Sequence, residues 1–357
     1  MSFLKNIKPS VRQLDAYSVK SLPQSPDLIK LNQNENPFDL PDFIKRELVE
    51  DFIHQPWNRY PDVHPVQLTE ALSEYAGVSM ESIIASNGSN ELMYTILMAI
   101  VSKGTKVLIP SPTFFLYEKI VKVLEGEVIS IPANKDLSFN VGEIVNAAKR
   151  TNPSLIILNS PNSPTGQMLP FADVETIILE TEAIILVDEA YIEFADYPSV
   201  LPLTEKYDRL IILRTFSKAF SLAGLRIGYL VAQPALCSEL LKPKIPFTVN
   251  VFSSSAAINL MKRKELIAER IQYIKRQKDF LFSELNSIGN IRVFPSQTNF
   301  LIFQIRGDVQ SLFGHLLSEN VLIRDVSSYP MLENTLRVNA GIEIENLAFL
   351  AVLKKYL

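Results

Sequence analysis

The sequence predicts an α/β fold: a large domain with a mainly parallel sheet covered by helices, followed by a smaller α/β domain. Three observations carry this. Between residues 83 and 232, short apolar runs alternate with segments of helical periodicity. The runs at 155–158 and 210–213 hold no polar residue at all, so strands formed there are buried on both faces, as in a parallel sheet. After Ala232 the composition shifts, with Pro234, Pro243 and Pro246 breaking any continuous helix before a second, shorter set of elements begins.

Taken in order, residues 1–30 are rich in proline and polar residues and read as an arm lying over the body. The turn-forming stretch Asn34-Glu35-Asn36-Pro37-Phe38 follows, then a helix at 41–52 and the exposed turn Arg59-Tyr60-Pro61-Asp62. A helix at 66–75 leads to an extended segment that runs through Asn87, Gly88, Ser89 and Asn90 into a helix at 91–101. Strands are predicted at 107–109, 128–131, 155–158, 183–187, 210–213 and 227–232, separated by helices at 115–124, 141–148 and 171–179. A long helix over 264–286 has apolar positions Ile267, Ile271, Ile274, Leu281 and Leu285 at helical spacing. Its basic clusters, Lys262-Arg263-Lys264 and Arg276-Gln277-Lys278, read as a solvated face. Strands at 292–294, 300–303, 322–323 and 336–339, with helices at 309–319 and 344–356, complete the chain. The division expected is an arm (1–30), a large domain (31–250) and a small C-terminal domain (251–357) that packs with the arm.

Composition narrows the function. The chain has 357 residues, enough for one big domain and a smaller one, and its 47% apolar and 21% charged residues are ordinary for a globular protein. A net charge of −4 argues against a nucleic-acid binder. The single cysteine, Cys237, cannot form an internal disulfide, and three histidines without ligand spacing predict no metal site. Neither a signal-peptide pattern nor a membrane-length apolar run is evident, so a cytoplasmic protein is expected.

In open α/β sheets, ligands bind outside the carboxyl ends of the strands. Three such ends carry chemistry: 159–166, Asp188-Glu189-Ala190-Tyr191, and Ser217-Lys218. A lysine leaving a buried strand is placed for imine chemistry, because burial lowers its pKa and frees the amine; lysines also follow strands without any such role. Asp188 ends a buried strand, where a carboxylate is costly without a cationic partner. Free N–H groups at the helix start around Gly88 make either an anion site or simply a well-capped helix. Together, a nucleophilic lysine, a buried carboxylate, a phenol, Arg226 and an anion nest are the set that a pyridoxal phosphate site requires.

On these motifs the sequence resembles the fold-type I pyridoxal-phosphate-dependent aminotransferases, whose large domain holds a seven-stranded-type sheet, and within them the histidinol-phosphate aminotransferase group. The likeness runs through Asn34-Glu35-Asn36-Pro37-Phe38, Arg59-Tyr60-Pro61-Asp62, Pro112-Thr113-Phe114, Pro161-Asn162-Ser163-Pro164-Thr165-Gly166, Asp188-Glu189-Ala190-Tyr191-Ile192-Glu193-Phe194, Ser217-Lys218 with Gly224-Leu225-Arg226-Ile227-Gly228, and Leu336-Arg337-Val338. It implies that Lys218 forms the Schiff base with pyridoxal 5′-phosphate and moves the proton, that Asp188 pairs with the ring nitrogen, and that Tyr191 bonds the ring hydroxyl. Phe114 would stack on the ring. Gly88, Ser89, Asn90, Ser217 and Arg226 would hold the phosphate, and Asn162 and Ser163 would lie beside the cofactor. Tyr60 would reach the phosphate of a partner subunit, which implies a homodimer with shared active sites. Arg337, Arg324, Tyr17 and Asn36 would contact the substrate. The sequence departs from the family where Ser163 stands for the usual asparagine, where Ser-Val-Lys follows Tyr17, and at His64.

The function implied is transfer of an amino group from histidinol phosphate to 2-oxoglutarate by a ping-pong route through the Schiff base, in histidine biosynthesis. Two other enzymes fit the same motifs, an aromatic amino acid aminotransferase and a threonine-phosphate decarboxylase. A non-catalytic, cofactor-binding regulator would need a DNA-binding appendage, and residues 1–30 are too short and irregular to be one.

Overall fold

The computed structural model describes residues 2–16 and 27–357; Tyr17, expected at the substrate, and the rest of the stretch to residue 26 lie outside the described residues. Thirteen strands are described: β1 (Ile29–Lys30), β2 (Ile83–Ser86), β3 (Lys106–Ser111), β4 (Glu127–Pro132), β5 (Leu155–Asn159), β6 (Ile184–Asp188), β7 (Leu210–Thr215), β8 (Gly228–Val231), β9 (Ile291–Val293), β10 (Phe300–Ile305), β11 (Val321–Leu322), β12 (Arg324–Asp325) and β13 (Thr335–Asn339).

The large sheet has seven strands in the order β2-β8-β7-β6-β5-β3-β4. All neighbours are parallel except β8, which runs antiparallel to both β2 and β7. The apolar runs of the sequence explain why it is covered on both sides. Leu155 and Ile157 join one core with Leu92, Ile96 and Ile120, from the helices Ser89–Ile100 and Leu116–Val123. Ile156 and Leu158 point the other way, into a core with Ile144 and Ile177 of the helices Val141–Thr151 and Phe171–Glu180. Residues of period two thus feed both faces, and each such side chain, fully buried, contributes roughly 1.5–3 kcal/mol.

The smaller sheet is antiparallel, in the order β12-β13-β10-β9. Strand β1 pairs in parallel with β11, and the Asn339 amide donates to the Leu31 carbonyl (3.1 Å). The chain entering at residue 29 is therefore tied to this smaller sheet before it crosses to the large one.

Two helices fall where the prolines left the sequence unassigned. Pro234–Leu240 starts on a proline, which needs no N–H in the first turn. Val251–Met261 is capped by Asn250, whose side chain accepts from the Ser253 amide (2.8 Å). The helix Lys264–Asn286 forms as expected, with one correction to its charged face. Lys262 and Arg276 are exposed, but Lys278 is buried and donates to the Ser296 carbonyl (2.7 Å), because the chain after β9 folds back over it.

Candidate active site

The carboxyl ends of β5, β6 and β7 open on a cavity of about 430 Å³, roofed by residues 32–35 and flanked by Arg324 and Arg337 of the smaller sheet. Register puts the chemistry in one place. Asp188, the last residue of β6, lies beside Asn159 of β5 and Leu213 of β7, two residues before β7 ends and the chain turns to Lys218.

Asp188 is 6% exposed and faces the cavity. Its carboxylate accepts from the Tyr117 hydroxyl (2.8 Å) and the Ala190 amide (3.1 Å). Among the described residues no cation pairs with it, and burial pushes its pKa up to about 6. A carboxylate held so is a ready partner for a protonated ring nitrogen. Lys218 is partly open to the cavity, donates from Nζ to the Gln33 carbonyl (2.8 Å), and lies 5.8 Å from the Tyr191 ring centre. Burial lowers its pKa below that of an ordinary lysine, which favours the neutral, nucleophilic amine. The Tyr191 hydroxyl accepts from Asn34 Nδ2 (2.9 Å).

An anion cradle stands opposite. Gly88 has φ +85°, and a Cβ there would lie 2.6 Å from Arg226 Nη2. A Cβ on Gly228 would lie 2.4 Å from the Ser89 amide nitrogen, so only glycine lets β8 approach the start of the helix Ser89–Ile100. Arg226 Nη1 donates to Ser217 Oγ (3.1 Å), and Ser217 Oγ in turn receives Thr215 Oγ1 (3.0 Å). Helix N-terminus, guanidinium and hydroxyls converge as a phosphate requires.

A second cationic wall comes from the smaller sheet. Arg324 and Arg337 are directly paired across β12 and β13, and both line the cavity. Like charges opposite one another in a sheet are unfavourable unless an anion bridges them. Arg337 donates from Nη1 to Ser163 Oγ (3.1 Å) and from Nη2 to the Asn32 carbonyl (3.0 Å), and stacks 5.1 Å from the Phe300 ring centre.

Of the residues singled out in the sequence, Ser89, Asn90, Phe114, Ser163, Asp188, Tyr191, Ser217, Lys218, Arg226, Arg324 and Arg337 line the cavity. Gly88 sits just behind it as the helix cap. Asn162 lies beside it, its side chain taken up by Thr113, Thr165 and the Pro112 carbonyl, so it braces two loops to each other. Asn36 lies away from it, donating to the Ala219 carbonyl (3.0 Å). Tyr60 is 83% exposed and stacked on Phe247. Among the lining residues, sequence reasoning singled out neither Gln33 nor Tyr117, and it gave Asn34 and Asn159 no role of their own. Asn34 sat in a quoted motif and Tyr117 three residues after Phe114, but nothing local marks either as facing Tyr191 or Asp188.

The chain matches the family model for aminotransferase class I and II over residues 26–352. It is 43% identical over 348 residues to the histidinol-phosphate aminotransferase of Chlorobaculum parvum, covering 98% of this chain and 97% of that one. Among solved structures, the histidinol-phosphate aminotransferase of Sinorhizobium meliloti, in complex with pyridoxal-5′-phosphate, shares the fold with a TM-score of 0.87 at 22% identity, over 98% of both chains. The L-threonine-O-3-phosphate decarboxylase of Porphyromonas gingivalis aligns with a TM-score of 0.80 at 25% identity, over 91% of this chain and 98% of that one.

Proposed function

The chain belongs to the class I and II aminotransferase family, and on that premise we propose that it is a pyridoxal 5′-phosphate-dependent aminotransferase that takes its amino group from histidinol phosphate and passes it to 2-oxoglutarate. The observation that carries the proposal is that one cavity holds both a buried carboxylate with no cation beside it among the described residues, Asp188, and a lysine whose pKa burial lowers, Lys218. The donor set fits the cofactor. Asp188 would hold the ring nitrogen protonated, Tyr191 would bond the ring oxygen, Phe114 would cover the ring face, and Ser89, Asn90, Ser217 and Arg226 would hold the phosphate. When bound, the cofactor supplies an electron sink for the donor's Cα–H electrons.

The chain's own groups do the rest. Lys218 Nζ is the base that takes the proton from the donor's Cα, and the Gln33 carbonyl holds that nitrogen in the cavity. Arg337, with Arg324 beside it, grips the anionic end of the donor or of the oxo acid, a planar fork suited to phosphate and carboxylate alike. Phe114 and residues 32–35 line the cavity around Lys218. The 43% identity to a histidinol-phosphate aminotransferase over nearly the whole chain supports this donor.

A cytoplasmic homodimer with shared sites completes the proposal. Tyr60 does not line the cavity of its own chain, and Trp57, Tyr60 and Phe247 are exposed aromatic residues, with Tyr60 stacked on Phe247. The test of the site is spectroscopic: the purified protein with cofactor should absorb in the visible, and Lys218→Ala should abolish that band. A Lys218→Ala protein with the band intact would mean that another residue binds the cofactor.

A further inference from the structure

We infer that Asn34 is a positioning residue for Tyr191: its side-chain amide donates to the phenol, so that the one phenolic proton points into the cavity towards the ring oxygen of the cofactor. The inference rests on the reading of the cavity as a pyridoxal phosphate site.

A phenol has one O–H and accepts through its lone pairs. The Tyr191 hydroxyl accepts from Asn34 Nδ2 at 2.9 Å, and no other bond to that hydroxyl occurs among the described residues. Its own proton is therefore left for the cavity that Tyr191 lines. Accepting one hydrogen bond also polarises the O–H and makes it a stronger donor.

Asn34 is built to stay in place. It is 2% exposed and its φ is +55°, a left-handed conformation that asparagine tolerates better than most residues. Its amide nitrogen donates to Asn339 Oδ1 (3.1 Å), and its carbonyl accepts from Asn299 Nδ2 (3.1 Å). The Tyr191 ring is fixed as well, set edge-on to Phe300 at 5.3 Å between centres. Strand β13 and the loop leading into β10 thus hold Asn34 by both backbone groups, leaving its side-chain amide for Tyr191.

The consequence is spectroscopic. A proton shared by Tyr191 stabilises the ionised ring oxygen and lowers the pH at which the lysine-bound cofactor changes colour. In the holoenzyme, Asn34→Gly, which keeps the left-handed backbone and removes the donor, should raise that midpoint by about half a unit to one unit, a roughly threefold to tenfold change in proton affinity. Asn34→Asp keeps the shape and the backbone clamps but draws the phenolic proton to its own carboxylate, so it should raise the midpoint further. Each shift is measured again in a Tyr191→Phe background, where the part that runs through the phenol should vanish. Shifts of equal size with and without the Tyr191 hydroxyl, or an unmoved midpoint in both Asn34 variants, would overturn the inference. A wild-type protein that never takes up colour would overturn the cofactor reading instead.

Discussion

Asp188 is where function and stability pull apart. An aspartate in an unfolded chain loses its proton near pH 3.8, whereas burial holds that of Asp188 to about 6. Between those values the folded, cofactor-free protein binds more protons than the unfolded one, so its stability falls as pH rises from 4 to 6 and stays low above. The cost of the buried charge at neutral pH is about 3 kcal/mol by the size of the shift. Asp188→Asn should therefore melt higher than the wild type at pH 8 when both lack cofactor, with the difference gone near pH 4, and should lose transaminase activity. A variant that melts lower at pH 8 would contradict the picture of an uncompensated charge. Lys218, Asp188 and Arg226 were legible in the sequence because each sits at a strand end or in a spaced motif. Tyr117 and Asn34 were not, since their partners Asp188 and Tyr191 lie 71 and 157 residues away in the chain.

The cradle for the phosphate is a property of two elements meeting, the helix Ser89–Ile100 and the edge of β8. Gly228 permits the meeting, because a methyl group there would strike the backbone of Ser89 and Gly88 and neither can swing aside. Gly228→Ala should destabilise the protein by at least ~2 kcal/mol and weaken binding of pyridoxal phosphate more than binding of pyridoxal, which has no phosphate to seat. Calorimetric melting and the two dissociation constants check this; an equal loss for both ligands would place the phosphate elsewhere. The alternation of apolar runs made six of the seven large-sheet strands readable as strands, with the seventh, β2, visible as an extended segment. The reversed direction of β8 was hidden, since a strand's polarity depends on its neighbours and not on its own residues. The helix Val251–Met261 was missed because the prolines before it drew the reading towards a break, although Asn250 is an ordinary N-cap.

At the scale of the molecule, the small sheet, residues 32–35 and the large sheet must stay in register for Arg337 and Lys218 to line one cavity. Lys278 helps to set that register from inside, by its bond to Ser296, where the sequence alone suggested a solvated charge. If the protein is the homodimer with shared sites proposed above, with Tyr60 outside its own cavity, complementation between subunits is expected. Mixed after unfolding, Lys218→Ala and Tyr60→Ala chains should yield about a quarter of the wild-type activity, because half the dimers carry one intact site. A mixture no more active than its parents would mean that each chain works alone.

On the proposed function, Lys218 gives up the cofactor to histidinol phosphate. This exchange is tested most directly by adding that donor alone to the coloured protein and following the visible band. The band should disappear with one equivalent of the matching keto compound formed, return when 2-oxoglutarate is added, and persist when phenylalanine is offered instead. A band that ignores histidinol phosphate but is discharged by an aromatic amino acid, or a donor that loses carbon dioxide without any need for an oxo acid, would contradict the proposed function.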